Sequence, residues 1–230
     1  MGERIEFPSD GTTGRGYLAV PDGGAEGRPG VIVIQEWWGL VPHIERTTDR
    51  LAAAGFVALA VDLYDGTTVP LTEPDDAAKE MMALEMAGAA RSLSGAVDEL
   101  RRRTGRDHVG VLGFCMGGGL ALVLACQRPD AVAAVVPCYG VIPWPDAQPE
   151  YAALDGAVLG HAAERDGFFT PAAAAELEAT LTELGKDVTF HLYPGVDHAF
   201  FNDDRPEVYD AAAAELLWER SVAFLRERLA

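Results

Sequence analysis

The sequence is poor in basic residues and in cysteine, and it contains no long apolar run. Lys and Arg number 18 against 36 Asp and Glu, a formal charge of −18. A polyphosphate would meet a repulsive field, so nucleic acid is excluded as an expected partner. Cysteine occurs three times, as Cys115, Cys126 and Cys138. The odd number leaves at least one free thiol, and the spacing suits neither a disulfide framework nor a zinc site. Nowhere do about 18 apolar residues follow one another without a charge or a turn. The opening Met1-Gly-Glu-Arg-Ile-Glu-Phe-Pro8 carries charges where a secretory signal would carry its apolar segment. The expectation is a cytoplasmic protein with no membrane partner. No low-complexity linker, repeat or composition shift divides the 230 residues, so a single domain over 1–230 is expected.

What is present is a large store of core-forming residues, 49% hydrophobic with 23% charged, close to the globular average. Short β-branched runs recur at Val31–Ile34, Phe56–Val61, His108–Leu112, Ala131–Val136, Ala157–Leu159 and Val188–Tyr193, each reading as a buried strand. Helical periods lie between them, at Ile44–Ala54, Asp75–Arg103, Gly118–Gln127, Pro171–Leu184 and Glu207–Leu229. This alternation predicts an α/β fold, a mostly parallel sheet with helices on both faces. Arg4–Phe7 and Gly16–Val20 differ, because the stretch between them is rich in turn residues and holds no helix; they predict an antiparallel hairpin at the sheet edge. The loop Asp65–Pro74 follows a strand's carboxyl end, where open α/β sheets bind ligands, and is a candidate pocket wall. Arg101-Arg-Arg-Thr-Gly-Arg106 reads as a helix end, where cations suit the dipole, rather than an anion site. Glu207–Leu229, with Trp218, Val222 and Leu225 at helical spacing, reads as a packed terminal helix.

After the strand His108–Leu112 comes Gly113-Phe-Cys-Met-Gly-Gly-Gly119 and then a helix. This is the G-x-S-x-G nucleophile elbow with Cys115 in the serine position. A strand turning into a helix within about two residues strains the central residue and leaves no room for side chains two positions before and after it, hence Gly113 and Gly117. Cys115 then stands at a helix N-terminus, where the macrodipole favours a thiolate. An elbow of this kind takes an acid after a later strand and a histidine after the last. Gly160-His-Ala-Ala-Glu-Arg-Asp-Gly167 offers Asp166, and Pro194-Gly-Val-Asp-His-Ala-Phe200 offers His198. Glu164 and Asp197 compete for the role of the acid; Asp197 adjoins His198 and is badly placed to reach its ring, whereas Asp166 precedes a glycine at which the loop can turn. His161 shares the acid's loop and could at most line the pocket. Acyl transfer builds negative charge on an oxygen that two backbone N–H groups should meet. Met116 supplies one and Trp37, in Gln35-Glu-Trp-Trp-Gly39, the other. Core packing stands as the alternative for the Trp pair, and a plain exposed carboxylate for Glu36.

These residues, together with Asp62-Leu-Tyr64, Tyr139-Gly140 and Asp197-His-Ala-Phe200, resemble the dienelactone hydrolase (carboxymethylenebutenolidase) family of α/β-hydrolases over nearly the full length. The cysteine in the elbow is the specific part of the likeness. The resemblance implies a triad of Cys115, Asp166 and His198, with Glu36 contacting the cysteine and assisting its ionisation. It also implies a substrate pocket bordered by Trp38, Tyr64, Tyr139, Phe200 and Arg205, the last a candidate for a substrate carboxylate. Asp203 or Asp204 are the alternative partners of Arg205, and Lys79 or Arg165 the other candidate cations. The expected partner is a small ester or lactone, handled by a monomer or homodimer without metal or organic cofactor. A thioesterase or general carboxylesterase is the alternative on the same fold, and a non-catalytic binding protein the alternative of another class.

Overall fold

The computed structural model describes all 230 residues. Asp10 and Gly11, with φ of 41° and 76°, fold Glu3–Ser9 (β1) back on Thr12–Ala19 (β2). Two positive φ angles in succession match the twist of a two-residue hairpin, and Asp-Gly tolerates them. β2 pairs antiparallel with Val57–Val61 (β4), and from there the sheet is parallel through Gly30–Ile34 (β3), Val109–Phe114 (β5), Val132–Cys138 (β6), Ala157–Ala163 (β7) and Val188–Tyr193 (β8). The order is β1-β2-β4-β3-β5-β6-β7-β8. The apolar runs of β3, β4 and β5 are buried along their whole length, as strands covered on both faces must be.

Alternation along the strands divides the core into two. Val31 and Val33 face Pro42–Ala53 (α1) and Ala211–Arg228 (α6) through Ile44, Leu51, Leu217 and Leu225. Ile32 and Ile34 face Met86–Thr104 (α3), Met116–Gln127 (α4) and Pro171–Glu183 (α5) through Leu93, Val97, Leu120 and Leu181. α4 is buried on every side, so it carries no polar face, as a central helix should not.

Two helical expectations change. The period over Asp75–Arg103 is cut into Pro74–Ala83 (α2) and α3, because the Glu85 carboxylate accepts from the N–H groups of Ala87 and Gly88 and starts a fresh helix. The last helix begins at Ala211, where Asp210 accepts from Ala213 N–H; Glu207 to Tyr209 stay outside it in turns. Arg101, Arg102 and Arg103 do end α3, and Gly105 closes it at φ 67°. Arg102 and Arg103 both pair with the buried Glu99, at 2.8 and 2.6 Å.

A third correction concerns His161. β7 runs on to Ala163, so His161 lies inside a strand and under α6, not in the acid's loop. Its Nδ1 is 2.9 Å from the Tyr193 hydroxyl and its Nε2 3.1 Å from Ser221 Oγ. Burial, with smaller contributions from His191 and Arg220, holds the ring well below the ordinary histidine value. The folded state therefore keeps His161 neutral where the unfolded chain protonates it, and stability present at neutral pH declines as pH falls below the unfolded value. Urea midpoints at pH 7 and pH 5 should differ more in the wild type than in His161→Gln; equal differences would contradict this linkage.

Candidate active site

β3, β5, β7 and β8 all point their carboxyl ends to one edge of the sheet, and the loops that follow carry the expected site residues. β5 passes into α4 through Cys115, whose backbone has φ 55° and ψ −122°. A Cβ at Gly113 would run into the Gly117 carbonyl, and one at Gly117 into the carbonyls of Ile34 and Gln35. The turn is also tied to the end of β6. Cys115 N–H donates to the Cys138 carbonyl at 3.0 Å, and its own carbonyl accepts from Val141 N–H at 3.1 Å.

Of the three candidate carboxylates, Asp166 meets His198, with Oδ2 2.6 Å from Nδ1. Its other oxygen accepts from the N–H groups of Phe168 and Phe169 at 2.7 and 2.9 Å, which fixes the carboxylate plane. Glu164 turns away to accept from Gly195 N–H at 2.7 Å, and Asp197 borders the cavity. Burial works against a charged His198, but the Cys115 sulfur and the Asp166 carboxylate together outweigh it and raise the ring above the ordinary histidine value. The ring thus has the acid at Nδ1 and shares one cavity with Cys115. Burial is the main cause that raises the remaining thiols, Cys126 to about 11 and Cys138, with a further contribution from Glu36, well above the usual range.

Glu36 is 1% exposed, which removes the exposed-carboxylate reading. Its Oε2 accepts from Asn202 Nδ2 at 2.6 Å, and Oε1 has no protein partner. Glu36, Trp37, Trp38, Cys115 and His198 border one cavity of about 940 Å³. The N–H groups of Trp37 and Met116 donate to no acceptor within the protein. No cluster of three His, Cys, Asp or Glu side chains is arranged to hold a metal ion, and no helix is long and apolar enough to cross a membrane.

A model of the dienelactone hydrolase family matches residues 15–229. The chain belongs to the dienelactone hydrolase family. It is 37% identical over 242 residues to "Protein usf" of Aquifex pyrophilus, with 100% of both chains covered. It is 35% identical over 237 residues to the "Putative carboxymethylenebutenolidase" of Aquifex aeolicus, again with 100% of both covered. The solved structure of the "Putative Dienelactone Hydrolase" from Klebsiella pneumoniae superposes with a TM-score of 0.88 at 25% identity, over 99% of this chain and 98% of that one. The architecture is the α/β-hydrolase fold, and the protein is a hydrolase of ester or lactone type.

Within this dienelactone hydrolase fold, three residues expected against the substrate stand behind the cavity wall instead. Tyr139 and Phe200 are wholly buried. The Tyr139 ring packs edge-on to His198 at 5.1 Å, with Phe200 against its far side at 5.6 Å. Tyr64 is buried as well, and its hydroxyl donates to Met116 Sδ at 3.5 Å. These aromatics pack against His198 and Met116 from the core side and do not line the cavity. Trp38 and Arg205 do border the cavity, with the guanidinium 5.7 Å over the indole. Arg205 pairs with Glu207 at 2.9 Å; Asp203 and Asp204 are taken by Arg46, at 2.7 Å each. Arg165 also borders the cavity, while Lys79 pairs with Asp76 away from it. Of the loop Asp65–Pro74 only Pro74 reaches the cavity; Thr68 and Val69 are stitched to Gly39 and Trp38.

Asn202, Phe168 and the segment from Val141 to Tyr151 carry no role in the sequence reading. Asn202 is the one polar residue directly after Ala199-Phe-Phe201, a weak signal. Phe168 is 69% exposed, yet its ring lies 5.1 Å from His198 and 6.3 Å from Trp37. The tight glycines make a stability forecast: Gly117→Ala should cost about 1–3 kcal/mol and lower activity with it, read from urea unfolding and ester turnover. A variant as stable and active as the wild type would show that the turn has slack.

Proposed function

We propose that the protein hydrolyses small carboxylic esters or lactones through an acyl group carried on Cys115, with His198 and Asp166 completing a triad. The observation that carries this reading is the His198 ring, held by Asp166 through Nδ1 and sharing one cavity with Cys115 at the turn into α4. A ring so held can take the thiol proton and later hand it to the leaving group.

The Cys115 thiolate attacks the carbonyl carbon and forms a C–S bond. The electron pair moves onto the carbonyl oxygen, where the unspent N–H groups of Trp37 and Met116 receive it. Collapse breaks the C–O bond, and His198 passes its proton to the leaving oxygen, which in a lactone stays tethered to the acyl chain. Neutral His198 then deprotonates a water that attacks the thioester, the thiolate leaves, and the acid is released. Glu36, with one oxygen held by Asn202 and the other without a protein partner, stands ready to assist ionisation of the cysteine. An anionic lactone would meet Arg205 at the cavity wall. The scheme calls for no metal or organic cofactor, and a thiol nucleophile suits the reducing cytoplasm.

Cys115→Ala should lower hydrolysis of p-nitrophenyl acetate by about a thousandfold or more. Iodoacetamide should label Cys115 ahead of Cys126 and Cys138, whose thiols burial keeps protonated. Undiminished turnover in the variant, or earlier labelling of either other thiol, would remove Cys115 from the reaction.

A further inference from the structure

The cavity at Cys115 is larger and more apolar than a small lactone requires. Its volume of about 940 Å³ stands at the upper end of small-molecule sites. One side of it is bounded by Leu122 of α4, Ile142 and Tyr151 of the segment after β6, and Phe169 and Leu177 around α5. Leu122 is part of the core on that face of the sheet, and Ile142, Tyr151 and Leu177 pack against the same core; Leu177 also packs against the small cluster of Ala162, Phe169 and Ala174. Together they make a largely apolar wall, in which Gln148 of the same segment is the polar member, its Nε2 donating back to the Ile142 and Trp144 carbonyls. Ile142, Tyr151 and Leu177 are only half-buried, so their remaining apolar surface is open to the cavity. No charged side chain of the cavity lies among these five residues. The charged lining residues, Glu36, Arg165, Asp197, Arg205 and Glu207, come from the loops after β3, β7 and β8.

Building on the hydrolase reading above, we infer that this wall is an acyl-chain subsite and that the preferred substrates are esters of medium-chain or aryl-bearing acids. The leaving oxygen takes its proton from His198, so the alcohol half lies towards His198 and its neighbours Asp197 and Arg205. The acyl half is left the side bounded by α4 and α5. Each methylene transferred from water to such a wall adds about 0.8 kcal/mol of binding, roughly fourfold in an equilibrium constant.

The test is a series of p-nitrophenyl esters from acetate to octanoate, which share one leaving group, run beside alkyl acetates from ethyl to octyl. kcat/KM should climb by up to about fourfold per methylene along the acyl series and stay level along the alkyl acetates. Leu177→Trp and, independently, Ile142→Trp should lower the octanoate-to-acetate ratio at least tenfold by filling the subsite. A flat or falling acyl series with acetate still hydrolysed would overturn the subsite while leaving the hydrolase reading intact. A rise confined to the alkyl acetates would overturn the acyl assignment, and loss of all ester turnover would strike the hydrolase reading itself. A length preference unchanged in both tryptophan variants would also reject this wall as its source.

Discussion

The site hangs on the close approach of three backbone segments at the turn after β5. Cys115 bonds both ways to the end of β6, while Gly117 lies against the carbonyls that end β3. Side chains are missing at Gly117, against the end of β3, and at Gly118 and Gly119, against Cys138 to Val141, so that these backbones can meet, while Gly113 clears the turn itself. The cost is local: Cys115, Tyr139 and Ala199 all carry positive φ, at 55°, 40° and 65°, in a region that ordinary side chains avoid. All three occur at the carboxyl edge of the sheet, and Cys115 and Ala199 border the cavity itself. The alternating cores on the two faces hold the sheet rigid enough to impose that strain.

Electrostatics then follow from position. A protein with a formal charge of −18 places a buried carboxylate, Glu36, and a buried acid, Asp166, within one small region. Each is held by hydrogen bonds, Asp166 through the backbone of Phe168 and Phe169 as well as His198, and Glu36 through Asn202. Burying a carboxylate without partners would cost several kcal/mol, so these bonds are a condition of the site as well as part of its geometry. Arg165 and Arg205 at the cavity wall supply local positive charge in an otherwise acidic molecule.

Much of this was legible beforehand, for identifiable reasons. Strand runs such as Val31–Ile34 are read easily because burial on both faces leaves no polar residues to break them. Cys115 and His198 stand out in the chain because glycines at fixed offsets mark a tight strand-to-helix turn and a histidine follows the last strand, and both border the cavity. Asp166 was separated from Asp197 by reach alone, and the bond to His198 agrees. What escaped depends on packing rather than pattern. His161 was misplaced because a strand's end is set by its pairing partner, here β8, and β7 extends along it to Ala163. The break at Glu85 depends on its carboxylate turning to accept from the Ala87 and Gly88 N–H groups, which helical period does not encode. The family resemblance puts Tyr64, Tyr139 and Phe200 at the pocket, and only three-dimensional packing places them in the core behind it. The apolar wall after β6 has no periodicity of its own, since it is shaped by contact with α4 and α5.

The most direct measurement is mass spectrometry of protein quenched in acid during turnover of p-nitrophenyl acetate, with His198→Gln beside the wild type to slow release of the acyl group. An acetyl group should be found on the peptide containing Cys115. Acetylation of a different residue, or wild-type turnover with no acylated peptide in either protein, would contradict a covalent mechanism at this cysteine.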